Sequence, residues 1–142
     1  MYKYETAKKI EGRAIKFLVD KMDKSFKQMV VGQYSVADLI VKKNSKYFCA
    51  EVKSRTYGLE FFEKYGVAVE DYKLQKIKQI YHSNKLVLIT ITSEGYILRS
   101  VIDDNTEIQY KVCSKTTSFD NQNKVEKKFR VSKDFQVIGK LD

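Results

Sequence analysis

The sequence predicts an α/β protein with a mixed central β-sheet flanked by helices, and three observations carry that reading. A proline-free N-terminal segment spaces its apolar residues as a helix does. Two runs of alternating residues follow, joined by a short polar turn. After a second amphipathic segment comes Leu86 to Ile91, a nearly continuous apolar run of the kind seen in strands covered on both faces.

The first helix is expected from Tyr4 to Met22, with Ala7, Ile10, Ala14, Phe17, Leu18 and Met22 as its apolar positions. The first alternating run starts at Val36 and ends at Val41, and the second runs from Tyr47 to Lys53. Asn44-Ser45 between them suits a hairpin. Ser54 to Gly66 reads as a loop with at most one helical turn, and Val69 to Tyr81 as an amphipathic helix built on Leu74, Ile77 and Ile80. The apolar run then completes a strand-helix-strand unit. Tyr96 to Ile102 is a further strand, followed by a turn at Asp103-Asp104-Asn105. Glu107 to Lys115 and Val125 to Val131 form a second hairpin-like pair across a long polar connection, Thr116 to Asn123.

With 142 residues and 43% hydrophobic content, the chain fits one domain over 1–142, its basic, β-rich C-terminal part beginning at about residue 103. No apolar stretch approaches the ~20 residues of a membrane span, and the Lys-rich start lacks a secretory leader's apolar segment. An intracellular, cytoplasmic protein is expected. Cys49 and Cys113 make no disulfide framework or zinc spacing, and His82, the sole histidine, reads as a helix-end residue. No glycine-rich phosphate loop is present, so nothing supports ATP-driven work. The net charge of +9 points to a polyanionic partner, namely nucleic acid rather than a membrane. The alternative for the Lys richness is biased genome composition and solubility.

The chemistry concentrates at Asp38 and Glu51-Val52-Lys53. A turn centred on Asn44-Ser45 sets Lys43 opposite Lys46, and counting outward sets Asp38 opposite Glu51, with Lys53 on the same face. Like charges so placed destabilise a sheet unless something compensates. A divalent cation such as Mg²⁺ or Mn²⁺ does so, and it retains waters that can attack a phosphodiester.

An Asp on one strand followed by Glu-x-Lys on the next resembles the catalytic core of the PD-(D/E)XK nuclease superfamily, with Ala37 standing where the motif has proline. The resemblance spans roughly the first 100 residues by element order. It implies a restriction-endonuclease-like core and a Mg²⁺- or Mn²⁺-dependent endonuclease, a hydrolase. Asp38 and Glu51 would hold the metal with the Val52 carbonyl, and Lys53 would assist the attacking water. The family also places an acid on an N-terminal helix. Glu11 shares the stripe of Ala7, Ala14 and Leu18, whereas Glu5 lies among Lys8, Lys9 and Gly12, so Glu11 is the candidate. Its other reading is a half-exposed helix glutamate paired with a nearby cation.

For nucleic-acid contact the candidates are Arg55, Lys73, Lys111, Lys115, Lys127, Lys128 and Arg130. Arg55, Tyr57, Phe61, Phe62 and Tyr65 form a basic-aromatic segment that either lines a nucleic-acid path or packs the core. The small size favours recognition of DNA shape over a long sequence, hence a Holliday-junction-resolvase-like activity on branched DNA by a homodimer. Two other classes stay open: a non-catalytic nucleic-acid-binding module with a nuclease-like fold, and a protein-interaction or inhibitor protein in which the Asp38/Glu51 pairing is coincidental.

Overall fold

Helix α1 (Tyr4–Lys21) follows the N-terminal periodicity, ending with Lys21 in its last turn, where a cation favours the helix dipole. The computed structural model describes residues 4–21, 27–28, 37–43, 46–114 and 124–142. Met22, Val36, the Asn44-Ser45 turn, Lys115 and the 116–123 connection lie outside them. The further elements are β1 (Lys27–Gln28), β2 (Leu39–Lys43), β3 (Lys46–Ser54), α2 (Leu59–Tyr65), β4 (Val67–Glu70), α3 (Asp71–Tyr81), β5 (Lys85–Ile91), β6 (Tyr96–Asp103), β7 (Glu107–Ser114), β8 (Lys124–Ser132) and β9 (Gln136–Lys140).

The main sheet is mixed and six-stranded, in the order β1-β2-β3-β5-β6-β9, and a second, antiparallel sheet runs β4-β8-β7. Strand β3 pairs in parallel with β5, while β2 with β3 and β5 with β6 are antiparallel. The strand-helix-strand unit of the sequence is thus present.

Alternation along β3 separates two cores. Ala50 and Val52 face α1, with Ala14, Leu39, Val41, Ile89, Ile91 and Ile97. Cys49 faces the other way, into a cluster with Ile40, Phe62, Val67, Val69, Leu74, Ile77, Leu86 and Leu88. Leu74 and Ile77 of α3 are fully buried there. Because β5 lies between both cores, its two faces are apolar, which explains the unbroken run Leu86 to Ile91.

Several expectations need correction. Val69 and Glu70 belong to β4, not to the helix. Val67 and Val69 are buried while Ala68 and Glu70 are half-buried, a period of two, and the segment pairs with β8. Helix α3 starts only at Asp71, whose carboxylate suits a helix N-terminus, and stops at His82 in the left-handed conformation (φ 55°). The loop after β3 contains the full helix α2, ended by Gly66 at φ 83°. A Cβ there would also stand 2.7 Å from the Ser132 carbonyl oxygen. Strand β9, on the sheet edge beside β6, has no counterpart in the expected elements.

Candidate active site

The hairpin register is the expected one: Lys43 pairs with Lys46, and the ladder runs out to Leu39 opposite Ala50. Asp38 comes next, just outside the regular strand. Its own N–H still donates to the Ala50 carbonyl at 3.0 Å. Its carboxylate Oδ2 accepts the Val52 N–H at 2.8 Å, so the side chain takes the place of a ladder partner. Asp38 remains half-exposed.

Glu51, across from it, is 1% exposed. Two ammonium groups converge on its Oε1: Lys53 Nζ at 3.1 Å, from the same face of β3, and Lys73 Nζ at 3.2 Å, from the first turn of α3. Both ammonium groups stand at ion-pair distance, off the angle of a well-directed hydrogen bond, and among the described residues this is the buried side-chain oxygen without a well-aligned donor. For a group that costs so much to bury this is unusual. Burial works to lower the Lys73 pKa, but the charge and hydrogen-bonding reach of the Glu51 carboxylate, followed by the charges of Tyr72 and Asp38, outweigh it and leave the ammonium above its ordinary value. Lys73 thus stands beside Glu51 and Lys53 rather than apart from them.

Glu11 is buried, as its place on the apolar stripe requires, but on the α1 side of β3. Its Oε2 accepts the Ser54 N–H at 3.0 Å and lies 3.4 Å from the Ser54 hydroxyl, while Oε1 lies 3.5 Å from Lys8. Val52 and Ser54 alternate with Glu51 and Lys53, so Glu11 and Glu51 stand on opposite faces of β3. Among the described residues no three His, Cys, Asp or Glu side chains gather as metal ligands. Cys49, next to Glu51 on the same face, is buried, and desolvation pushes its thiol up to about 11, away from thiolate chemistry.

The cationic candidates divide. Arg55 is exposed, with its N–H extending the β3–β5 ladder to the Ile91 carbonyl. Lys111 is exposed, its ammonium 5.3 Å from the Phe129 ring. Lys127 lies 3.4 Å from Glu70, and Lys128 lies 3.5 Å from Asp71. Lys115 falls outside the described residues. Arg130 corrects the expectation: it is 5% exposed, and its Nε donates to Asp71 at 2.7 Å. Its Nη1 donates to the carbonyls of Asp104 and Thr106. A guanidinium so enclosed ties α3 to the second sheet and has little surface left to offer a ligand.

No family, curated protein or solved structure matches the chain. Among the described residues, no helix is long and apolar enough to cross a membrane.

Proposed function

We propose that this protein is a metal-dependent endonuclease with a PD-(D/E)XK-like centre, hydrolysing phosphodiester bonds in nucleic acid, with branched DNA as its preferred substrate and a homodimer as its working form. One observation carries the reading. The buried Glu51 carboxylate, opposite Asp38 in the hairpin register, keeps an oxygen without a directed donor and faces two ammonium groups.

The two carboxylates fit Mg²⁺ or Mn²⁺, because such ions are held by one or two protein carboxylates and keep several waters. Asp38 and Glu51 would hold the ion, with the Val52 carbonyl as a further oxygen. Glu11, engaged by Ser54 on the other face of β3, supports the strand end instead. When bound, the ion neutralises phosphate charge and acidifies a coordinated water. Lys53, one-third exposed at its side chain, orients that water and donates to the oxyanion that develops on phosphorus. Lys73, 3.2 Å from Glu51, balances its charge and offers a second donor to the phosphate. In the reaction a water gives up one proton to solvent as its oxygen bonds to phosphorus, one P–O ester bond breaks, and the leaving alkoxide takes up a proton from solvent.

The test is cleavage of four-way junction, linear duplex, single-stranded DNA and RNA with Mg²⁺ or Mn²⁺, with and without chelator, alongside the solution mass. Chelation should stop the reaction, and Glu51→Gln, Asp38→Asn and Lys53→Ala should each lower its rate by about 10²-fold or more while the fold is kept. Equal cleavage by the wild type and all three variants rejects the site. Paired nicks in a junction by a dimer support the resolvase-like subclass, and a monomer that cuts linear or single-stranded substrates equally well removes it. A second reading is favoured by the two ammonium groups already balancing Glu51: a nuclease-like module that binds nucleic acid without cutting it. Salt-sensitive binding with no product under either metal would select it.

A further inference from the structure

Between α2 and the second sheet lies a cavity of about 270 Å³ lined by aromatic rings and two cations. Tyr57 and Phe61 form one wall, stacked at a centroid distance of 4.0 Å and 10° from parallel. Tyr65 extends that wall, its ring 4.9 Å from that of Phe61. Phe129 of β8 closes the opposite side, with the Lys111 ammonium 5.3 Å from its ring, and Arg55 stands at the end nearest β3.

Three features separate this cavity from ordinary core packing. Tyr57 and Tyr65 are 50% and 54% exposed, so much of both rings is open to solvent, while Phe62 beneath is 5% exposed and anchors the helix. The Arg55 side chain is exposed and has no ion-pair partner among the described residues. The volume falls just under the ~300 Å³ at which drug-sized pockets begin, which suits one planar ring system rather than a larger ligand.

Position supplies the chemistry of the occupant. Arg55 lies two residues beyond Lys53 on the same extended segment, roughly 7 Å along the chain, so the cavity mouth opens one step from the proposed centre. A polyanion drawn in by the net charge of +9 would cross both. Aromatic faces flanked by cations take a stacked base and its phosphate. A base paired within a duplex keeps its ring faces covered, so only an unpaired or extruded base can enter.

We infer that the cavity between Tyr57, Phe61, Tyr65 and Phe129 receives one unpaired nucleobase, with Arg55 and Lys111 on its phosphates. Resting on the nuclease reading above, this adds to the branched substrate an unpaired nucleotide beside the scissile bond, as an opened branch point supplies.

The test measures binding in chelator, where no cleavage occurs, of full-length protein to a single strand containing 2-aminopurine, its duplex, and an abasic strand of equal length. Fluorescence of the single strand should be quenched, and its affinity should exceed that of the abasic strand by about tenfold or more at the same salt. Tyr65→Ala should lower the single-strand affinity at least about fivefold and leave the abasic strand unchanged. Tyr57→Ala should act in the same direction, and Arg55→Ala should weaken both strands equally. Equal affinity for base-bearing and abasic strands overturns the inference, as does quenching that survives both tyrosine substitutions. Metal-dependent cleavage, assayed separately, distinguishes the two readings. Cleavage without base-dependent binding overturns the cavity alone, whereas base-dependent binding without cleavage overturns the nuclease and leaves the cavity standing.

Discussion

Two buried carboxylates in this molecule are each attended by two cations, and they are built in opposite ways. Asp71, 6% exposed, meets Arg130 at 2.7 Å through a donated hydrogen bond, and that guanidinium fills two further carbonyls. Lys128 adds charge at 3.5 Å. Glu51, 1% exposed, has two ammonium groups at 3.1 and 3.2 Å, and neither is directed at it. A planar fork can satisfy several acceptors at fixed angles, whereas an ammonium acts closer to a point charge on a flexible stem. The first arrangement closes a joint between α3 and the second sheet. The second leaves a buried carboxylate balanced in charge but loosely held, which on the proposed reading would let it take a cation.

The sharpest way to break this comparison is to remove one partner from each. Arg130→Met strands the Asp71 carboxylate and should cost about 3–5 kcal/mol of folding free energy in urea unfolding. Adding Asp71→Asn should recover much of it, a coupling that a double-mutant cycle reads directly. Glu51→Gln should change stability by only about 1 kcal/mol, since Lys53 and Lys73, about a third and a quarter exposed at their side chains, can turn to water. Equal losses at both positions would erase the distinction between joint and site.

Acid should separate the two next. Burial works to raise the Asp71 pKa, but the Arg130 and Gln75 hydrogen bonds and the charges of Arg130 and Lys128 outweigh it, holding the carboxyl below its ordinary 3.8. A depressed folded-state pKa means that the stabilisation is fully present above the unfolded value and is lost as pH falls through the folded one. Thermal stability of the wild type should therefore drop steeply below about pH 4. Asp71→Asn, less stable at neutral pH, should show a shallower drop in that window, and identical slopes would assign acid sensitivity elsewhere. Lys73 works at the other end. Its raised pKa gives stabilisation present below its ordinary 10.5 and lost as pH climbs through the higher folded value, so Lys73→Met should flatten the alkaline limb only.

The same contrast explains what could be read in advance. The β2–β3 register was legible because period-two alternation and a two-residue turn fix it locally, and Glu11 was placed by its stripe. The helix-like segment at Val69 and the surface role of Arg130 misled for one reason. Both depend on β4 pairing with β8, where Val69 meets Arg130 from a distant part of the chain. Alternation along β8 puts Arg130 with Glu126 and Lys128, a face that looks solvated until α3 covers its end. Glu11 was misassigned in its neighbour rather than its burial, since a stripe gives the side of a helix but not which face of a strand it meets. Lys73 was seen as basic, but its reach to Glu51 depends on how α3 crosses β3.

The smallest expected effect is at Asp38, where sequence and structure give different grounds for the same substitution. If repulsion from Glu51 dominated, Asp38→Asn would raise stability in the absence of metal. The Asp38 carboxylate, however, accepts the Val52 N–H at 2.8 Å, and Glu51 is already balanced by Lys53 and Lys73. An asparagine oxygen can accept the same hydrogen bond, so Asp38→Asn should leave apo stability within about 0.5 kcal/mol. Asp38→Ala removes the acceptor and should cost about 1 kcal/mol. The two variants should converge in a different assay: Mn²⁺ should raise the melting temperature of the wild type, and both variants should lose that rise. A metal-dependent rise that survives in both would place the cation away from Asp38, and a large gain in apo stability for Asp38→Asn would show that Lys53 and Lys73 leave the repulsion unbalanced.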